Sequence, residues 1–162
     1  MKLKIGDKLP SGEVFCLDEN KKVKKIEMDS FFKNQKVIIF GLPGAFTAVC
    51  SVKHLPGFVN NFEEAKKKGI TKIICISVND PFVMNAWGKA HKVEDKILMV
   101  GDPFCKFIKE IGADVDKSEK GLGMRSSRFT MLVDNGVIKK LKEEKDTASC
   151  EITAAENFLK NI

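Results

Sequence analysis

The residues of this chain best suited to covalent chemistry are its five cysteines, Cys16, Cys50, Cys75, Cys105 and Cys150. No two stand close enough for a CxxC pair, and only His54 and His91 could join them around a metal. A structural zinc site is therefore not expected. An odd cysteine count points instead to free thiols, one or two of them reactive. Cys50 has the best setting. The segment Pro43-Gly44-Ala45-Phe46-Thr47-Ala48-Val49-Cys50 follows an apolar run and leads into Val52, Leu55, Val59 and Phe62 at helical spacing. With Thr47 near the N-cap, Cys50 falls in the first helical turn. Free amide hydrogens and the helix dipole there stabilise an anionic sulfur, a strong nucleophile. Thiols in such places titrate at about 3.5–7.5 rather than about 8.5, above all beside a cation. The plainer alternative is a small core residue, the usual role of a free cysteine.

A cation of the right kind is scarce. Of 28 basic residues only Arg125 and Arg128 are arginines. In a chain so biased to lysine, an arginine marks a place that needs a planar, always-charged fork.

The elements that must carry these groups follow from apolar periodicity. Val14-Phe15-Cys16-Leu17 and Lys22 to Ile26, joined by Asp18-Glu19-Asn20-Lys21, read as a β-hairpin. Lys36 to Leu42 and Ile73 to Val78 are nearly continuous apolar runs, as expected of central buried strands, and Ile97 to Val100 is a third. After Pro43-Gly44 a helix begins, which Pro56-Gly57 should interrupt and kink. Asn79-Asp80-Pro81 offers another helix start with proline at the first position. Phe104 to Ile111 reads as a short helix, and Thr153 to Leu159 as the last one. Phe129 to Val133 and Val137 to Leu141, joined by Asp134-Asn135-Gly136, form a second hairpin. Alternating strands and helices followed by a hairpin and a helix predict an α/β domain over residues 1–162, a central mixed sheet flanked by helices. Cys50 would then lie at the carboxyl end of the sheet, where α/β folds bind ligands.

Composition narrows the function. The chain has 162 residues, 43% of them hydrophobic, enough for a core without disulfide or metal staples. No apolar run reaches the roughly 18 residues of a membrane span, and the first residues lack a signal-peptide stretch. A cytoplasmic protein is expected, with no membrane partner. The net charge of +6 is spread over lysines along the whole chain. Nucleic-acid binding needs a focused patch, so no nucleic-acid partner is expected. A thioredoxin-type disulfide oxidoreductase is disfavoured by the missing CxxC.

Phe40 to Thr47, Cys50-Ser51 and Lys53-His54-Leu55-Pro56-Gly57-Phe58 closely resemble the active-site segment of the peroxiredoxin-5 and plant type II peroxiredoxins. Ser77 to Met84, Ala86-Trp87-Gly88, Gly121-Leu122-Gly123 and Arg125-Ser126-Ser127-Arg128-Phe129 extend the match, which runs from about Ile5 to the C-terminus. The resemblance implies a thioredoxin-like fold with the N-terminal β-hairpin as an addition, and a homodimer. It implies a peroxidase that reduces hydrogen peroxide and alkyl hydroperoxides without metal, haem or flavin. Cys50 would attack the peroxide and become a sulfenic acid. Pro43 would shield the pocket, Thr47 would hold the peroxide oxygens, and Arg128 would stabilise the charge. Arg125, three residues away in an extended segment, should point to the opposite face and serve the surface. His54 and Trp87 read as packing or interface residues. One departure stands out: Ala48 replaces the proline that usually follows the threonine.

Regeneration is open on the sequence. Cys75 falls at the second-cysteine position of plant type II members but lies in a buried strand, and Cys150 lies slightly short of the resolving cysteine of animal peroxiredoxin-5 proteins. A one-cysteine cycle, with glutathione and glutaredoxin or thioredoxin reducing Cys50 directly, stands beside an intramolecular disulfide with either. Cys16 and Cys105 read as structural thiols. A non-enzymatic redox sensor or holdase using the same cysteine is the alternative function.

Overall fold

The computed structural model describes residues 1–162. The first hairpin is β1 (Glu13–Leu17) and β2 (Val23–Glu27), antiparallel as expected. Next come β3 (Lys36–Gly41), a wide helical turn (Cys50–His54), α1 (Leu55–Asn60), α2 (Phe62–Lys67) and β4 (Lys72–Ser77). α3 (Pro81–Ala90), β5 (Leu98–Gly101) and α4 (Lys106–Glu110) follow. The last third holds β6 (Asp114–Asp116), β7 (Met124–Ser126), β8 (Phe129–Asp134), β9 (Val137–Glu143) and α5 (Ala155–Leu159).

One seven-stranded sheet runs β2-β1-β5-β4-β3-β8-β9. β5, β4 and β3 are parallel, while β8 joins β3 antiparallel and β9 completes the second hairpin. β6 and β7 form a separate two-stranded ribbon that the sequence pattern did not announce. No helix is long and apolar enough to cross a membrane.

The pleat sorts the core into two layers. Val37, Ile39, Ile74, Ile76, Phe129, Met131 and Val133 face one way, against Phe32, Phe107 and Ile108. Ile38, Phe40, Ile73, Cys75 and Leu132 face the other, against Leu55, Phe58, Trp87 and Cys50. Successive strand side chains alternate faces, so Thr130 and, just ahead of β8, Arg128 share the Cys50 side.

Element ends depart from the sequence reading where special residues intervene. α4 begins at Lys106 rather than Phe104 because Cys105 adopts a left-handed conformation (φ 54) and Asp102 accepts the amides of Lys106 and Ile108. α3 starts as expected, with Asp80 accepting the Val83 amide and Pro81 at the first position. Pro56 does not break its helix. The chain stays helical through it, and the disturbance lies just upstream, where the Leu55 amide reaches back five residues to the Cys50 carbonyl. Proline has no N–H and its ring crowds the carbonyl four residues before it. Widening the turn relieves both. The true interruption is at Asn61 (φ −101, ψ 16), between α1 and α2.

Candidate active site

The Cys50 loop leaves β3 at Gly41, where no side chain fits because the Phe129 ring occupies the space a Cβ would take. The loop turns through Phe46, which sits at φ 61. A left-handed non-glycine residue costs on the order of 1 kcal/mol and persists only when its surroundings over-determine it. Outside residues supply that constraint. The Asn79 Oδ1, itself held by the Ser77 hydroxyl at 2.7 Å, accepts the Ala45 amide at 3.0 Å. The Thr47 hydroxyl donates to the Gly44 carbonyl at 2.7 Å. Thr47 stands at the helix entry as expected, but its side chain makes no cap: the hydroxyl turns back into its own loop.

Cys50 opens the wide turn with its side chain 1% exposed. Wide turns of this kind recur at functional sites, since they re-aim a side chain at little cost to the helix. Ser51, the next residue, accepts the Trp87 indole N–H at 3.0 Å, so buried Trp87 braces the turn from α3.

Arg128 closes the site from the other end of the chain. It is 1% exposed, and its Nη2 donates to the Cys50 Sγ at 3.4 Å and to the Thr147 carbonyl at 2.8 Å. Its Nη1 lies 3.1 Å from the His54 Nδ1. Arginine can only donate, so this ring nitrogen accepts and the proton of His54 sits on Nε2. That N–H faces the Thr130 hydroxyl at 3.4 Å, and the hydroxyl donates onward to the Thr153 carbonyl at 2.8 Å. Burial, together with the Arg128 charge, pushes His54 down to about 3. The ring is therefore neutral at physiological pH and serves as an acceptor for the guanidinium. Sequence reasoning placed His54 in packing. It packs on Phe40 and Phe58 as well, but its bond to Arg128 makes it a positioning residue. The Arg128 Nε is the one buried side-chain nitrogen or oxygen without a partner.

The segment after β9 lies over this arrangement. Glu144 accepts the amides of Glu151 and Thr153 and the Thr153 hydroxyl. Burial raises its carboxyl, but these donors outweigh burial and hold it below the usual range. Cys150 sits in this strap, 2% exposed, beside a cleft of about 470 Å³ walled by Val49, Val52, Lys53 and Ser149. Burial pushes its thiol up, against the pull of Arg128. Cys75 is fully buried in β4 on the Cys50 face, and burial, with Cys50 adding, pushes it well up. Cys16 and Cys105 belong to the opposite core layer.

The buried Pro43 forms the loop wall, and here one sequence expectation fails. Arg125 does not point away. Its Nε donates to the Leu122 carbonyl at 2.8 Å and its Nη1 to the Pro43 carbonyl at 3.4 Å. β7 ends at Ser126 and β8 begins at Phe129 in a different sheet, so strand alternation does not run from Arg125 to Arg128.

A central mixed sheet with a buried thiol and guanidinium at the carboxyl ends of its parallel strands defines a thioredoxin-fold redox protein. The sequence profile of the Redoxin family matches residues 4–159. The chain is 41% identical to Peroxiredoxin-2D of Arabidopsis thaliana over 158 residues, 98% of this chain and 97% of that one. Its fold matches reduced Prx3 of Vibrio vulnificus in complex with hydrogen peroxide at a TM-score of 0.92 and 37% identity, covering 98% of each chain. It matches peroxiredoxin 5 of Alvinella pompejana at 0.83 and 32%, covering 97% of this chain and 96% of that one. The chain belongs to the peroxiredoxins, within the peroxiredoxin-5 and plant type II group, and is a thiol peroxidase.

Proposed function

We propose that the chain reduces hydrogen peroxide and small alkyl hydroperoxides by a cycle centred on Cys50, as an antioxidant. The observation that carries this reading is the Arg128 guanidinium 3.4 Å from the Cys50 sulfur, with both residues buried. The Cys50 thiolate attacks one peroxide oxygen; the S–O bond forms as the O–O bond breaks. The electron pair passes to the leaving oxygen, which takes a proton and departs as water or an alcohol. Arg128 holds the sulfur and, through its free Nε, offers an N–H to the oxygen on which charge grows. His54 and the Thr147 carbonyl fix the fork. Pro43 keeps water out, and Thr47, its oxygen still free to accept, orients the peroxide. The Vibrio relative, seen with hydrogen peroxide bound, favours this substrate class.

Cys50 is left as a sulfenic acid. A reductant thiol attacks the sulfur, water leaves, and a second thiol releases the disulfide. Burial of Cys75 and Cys150, with both thiols pushed up, favours an external reductant, glutathione with glutaredoxin or thioredoxin. Cys75→Ser and Cys150→Ser variants, each assayed with both reductant systems, test this: full turnover in both supports the one-cysteine cycle, and loss in either identifies a resolving cysteine. The exposed Phe46 and Val52 (60% and 80%), together with Phe82, favour a homodimer. Sedimentation of Val52→Asp checks that contact: it should run as a monomer where the wild type runs as a dimer.

A further inference from the structure

The half-buried guanidinium of Arg125 pairs with no carboxylate. Its hydrogen bonds go to two backbone carbonyls, Leu122 at the turn of the β6–β7 ribbon and Pro43 in the Cys50 loop. Its Nη1 lies 2.9 Å from where a Cβ on Gly44 would sit, with the Thr47 Cγ2 at 3.2 Å from the same point. Arginine thus lies flat against the loop between Pro43 and Thr47. That loop is built around the left-handed Phe46 and is held from outside by Asn79 at Ala45 and by Arg125 at Pro43. The β6–β7 ribbon, which belongs to no part of the main sheet, delivers the second of these clamps.

We propose that Arg125 is a positioning residue that fixes the Pro43–Thr47 wall of the peroxide pocket and so sets which hydroperoxides fit. This rests on the peroxidase reading above. A fork with several donors spans two carbonyls at once, which a lysine ammonium on a flexible stem does far less well. Small misplacements of a reacting geometry cost rate steeply.

The test compares wild type, Arg125→Gln, Arg125→Lys and Gly44→Ala. Each is assayed for Cys50 oxidation by hydrogen peroxide and by bulky cumene hydroperoxide, and for Cys50 alkylation by iodoacetamide. Arg125→Gln should lose about 10–100-fold with hydrogen peroxide. The cumene-to-hydrogen-peroxide ratio should rise about tenfold, while alkylation does not fall. Arg125→Lys should recover only part of the loss. Gly44→Ala, whose methyl displaces the guanidinium, should reproduce the changed ratio with Arg125 still present. Wild-type rates and ratio in Arg125→Gln would overturn the inference, as would full rescue by lysine or an equal loss of peroxide and iodoacetamide reactivity. A wild-type protein that reacts sluggishly with both peroxides would instead sink the peroxidase reading, and this inference with it.

Discussion

Replacing His54 by glutamine should remove a large part of the protein's acid sensitivity. His54 is fully buried, and burial plus the adjacent Arg128 charge lowers its pKa from 6.5 to about 3. In the unfolded chain histidine titrates near 6.5. The unfolded state therefore takes up a proton that the folded state refuses, and stability rises with pH. The benefit of the neutral ring is complete above about pH 6.5 and is lost progressively down to about pH 3. One unit corresponds to about 1.4 kcal/mol. At about pH 5, roughly 1.5 units below the unfolded value, this residue alone should cost the wild type about 2 kcal/mol relative to about pH 7.5. Glutamine can accept from Arg128 and donate toward Thr130, yet takes up no proton. Urea unfolding of both proteins at the two pH values measures the effect. The difference between pH values, not the absolute stability, is compared, so any repacking cost cancels. The wild type should lose about 2 kcal/mol more than the variant; an equal loss in both would refute the buried, neutral assignment of His54.

Two further outcomes follow from the same geometry. Arg128→Lys keeps the charge but cannot reach the Cys50 sulfur, the His54 Nδ1 and the Thr147 carbonyl together. Stopped-flow oxidation by hydrogen peroxide should slow about 100-fold or more, and a wild-type rate would remove the guanidinium from the mechanism. Gly41→Ala drives a methyl into the Phe129 ring, so thermal unfolding should register a loss of about 1–3 kcal/mol from overpacking.

Much of this site is written locally. The apolar run before Pro43 and the helical spacing after Cys50 suffice to put a thiol in a first turn at a strand's carboxyl end; the rarity of arginine points to Arg125 and Arg128 together, and only the family resemblance chooses Arg128. Long-range placement is where local pattern stops. The partners of Arg128 come from His54, 74 residues away, and Thr147, 19 residues away, and no periodicity connects them. The alternation rule misassigned Arg125 because it assumes one continuous strand, whereas β7 and β8 are separate and pair with different neighbours. A proline at position 56 signals disturbance, but whether a helix kinks, stops or widens upstream depends on tertiary packing, here Trp87 bracing Ser51. The β6–β7 ribbon was missed because three-residue strands carry too few side chains to show a period.

The proposed cycle requires the sulfur of Cys50, alone among five buried thiols, to be poised by Arg128 and the wide helical turn. Mass spectrometry after brief exposure to one equivalent of hydrogen peroxide, followed by trapping with a sulfenic-acid reagent, reads this directly. Label should appear on Cys50 within the shortest mixing time while Cys16, Cys75, Cys105 and Cys150 remain reduced. Label spread evenly among the cysteines, or Cys50 oxidising no faster than free cysteine, would contradict the account.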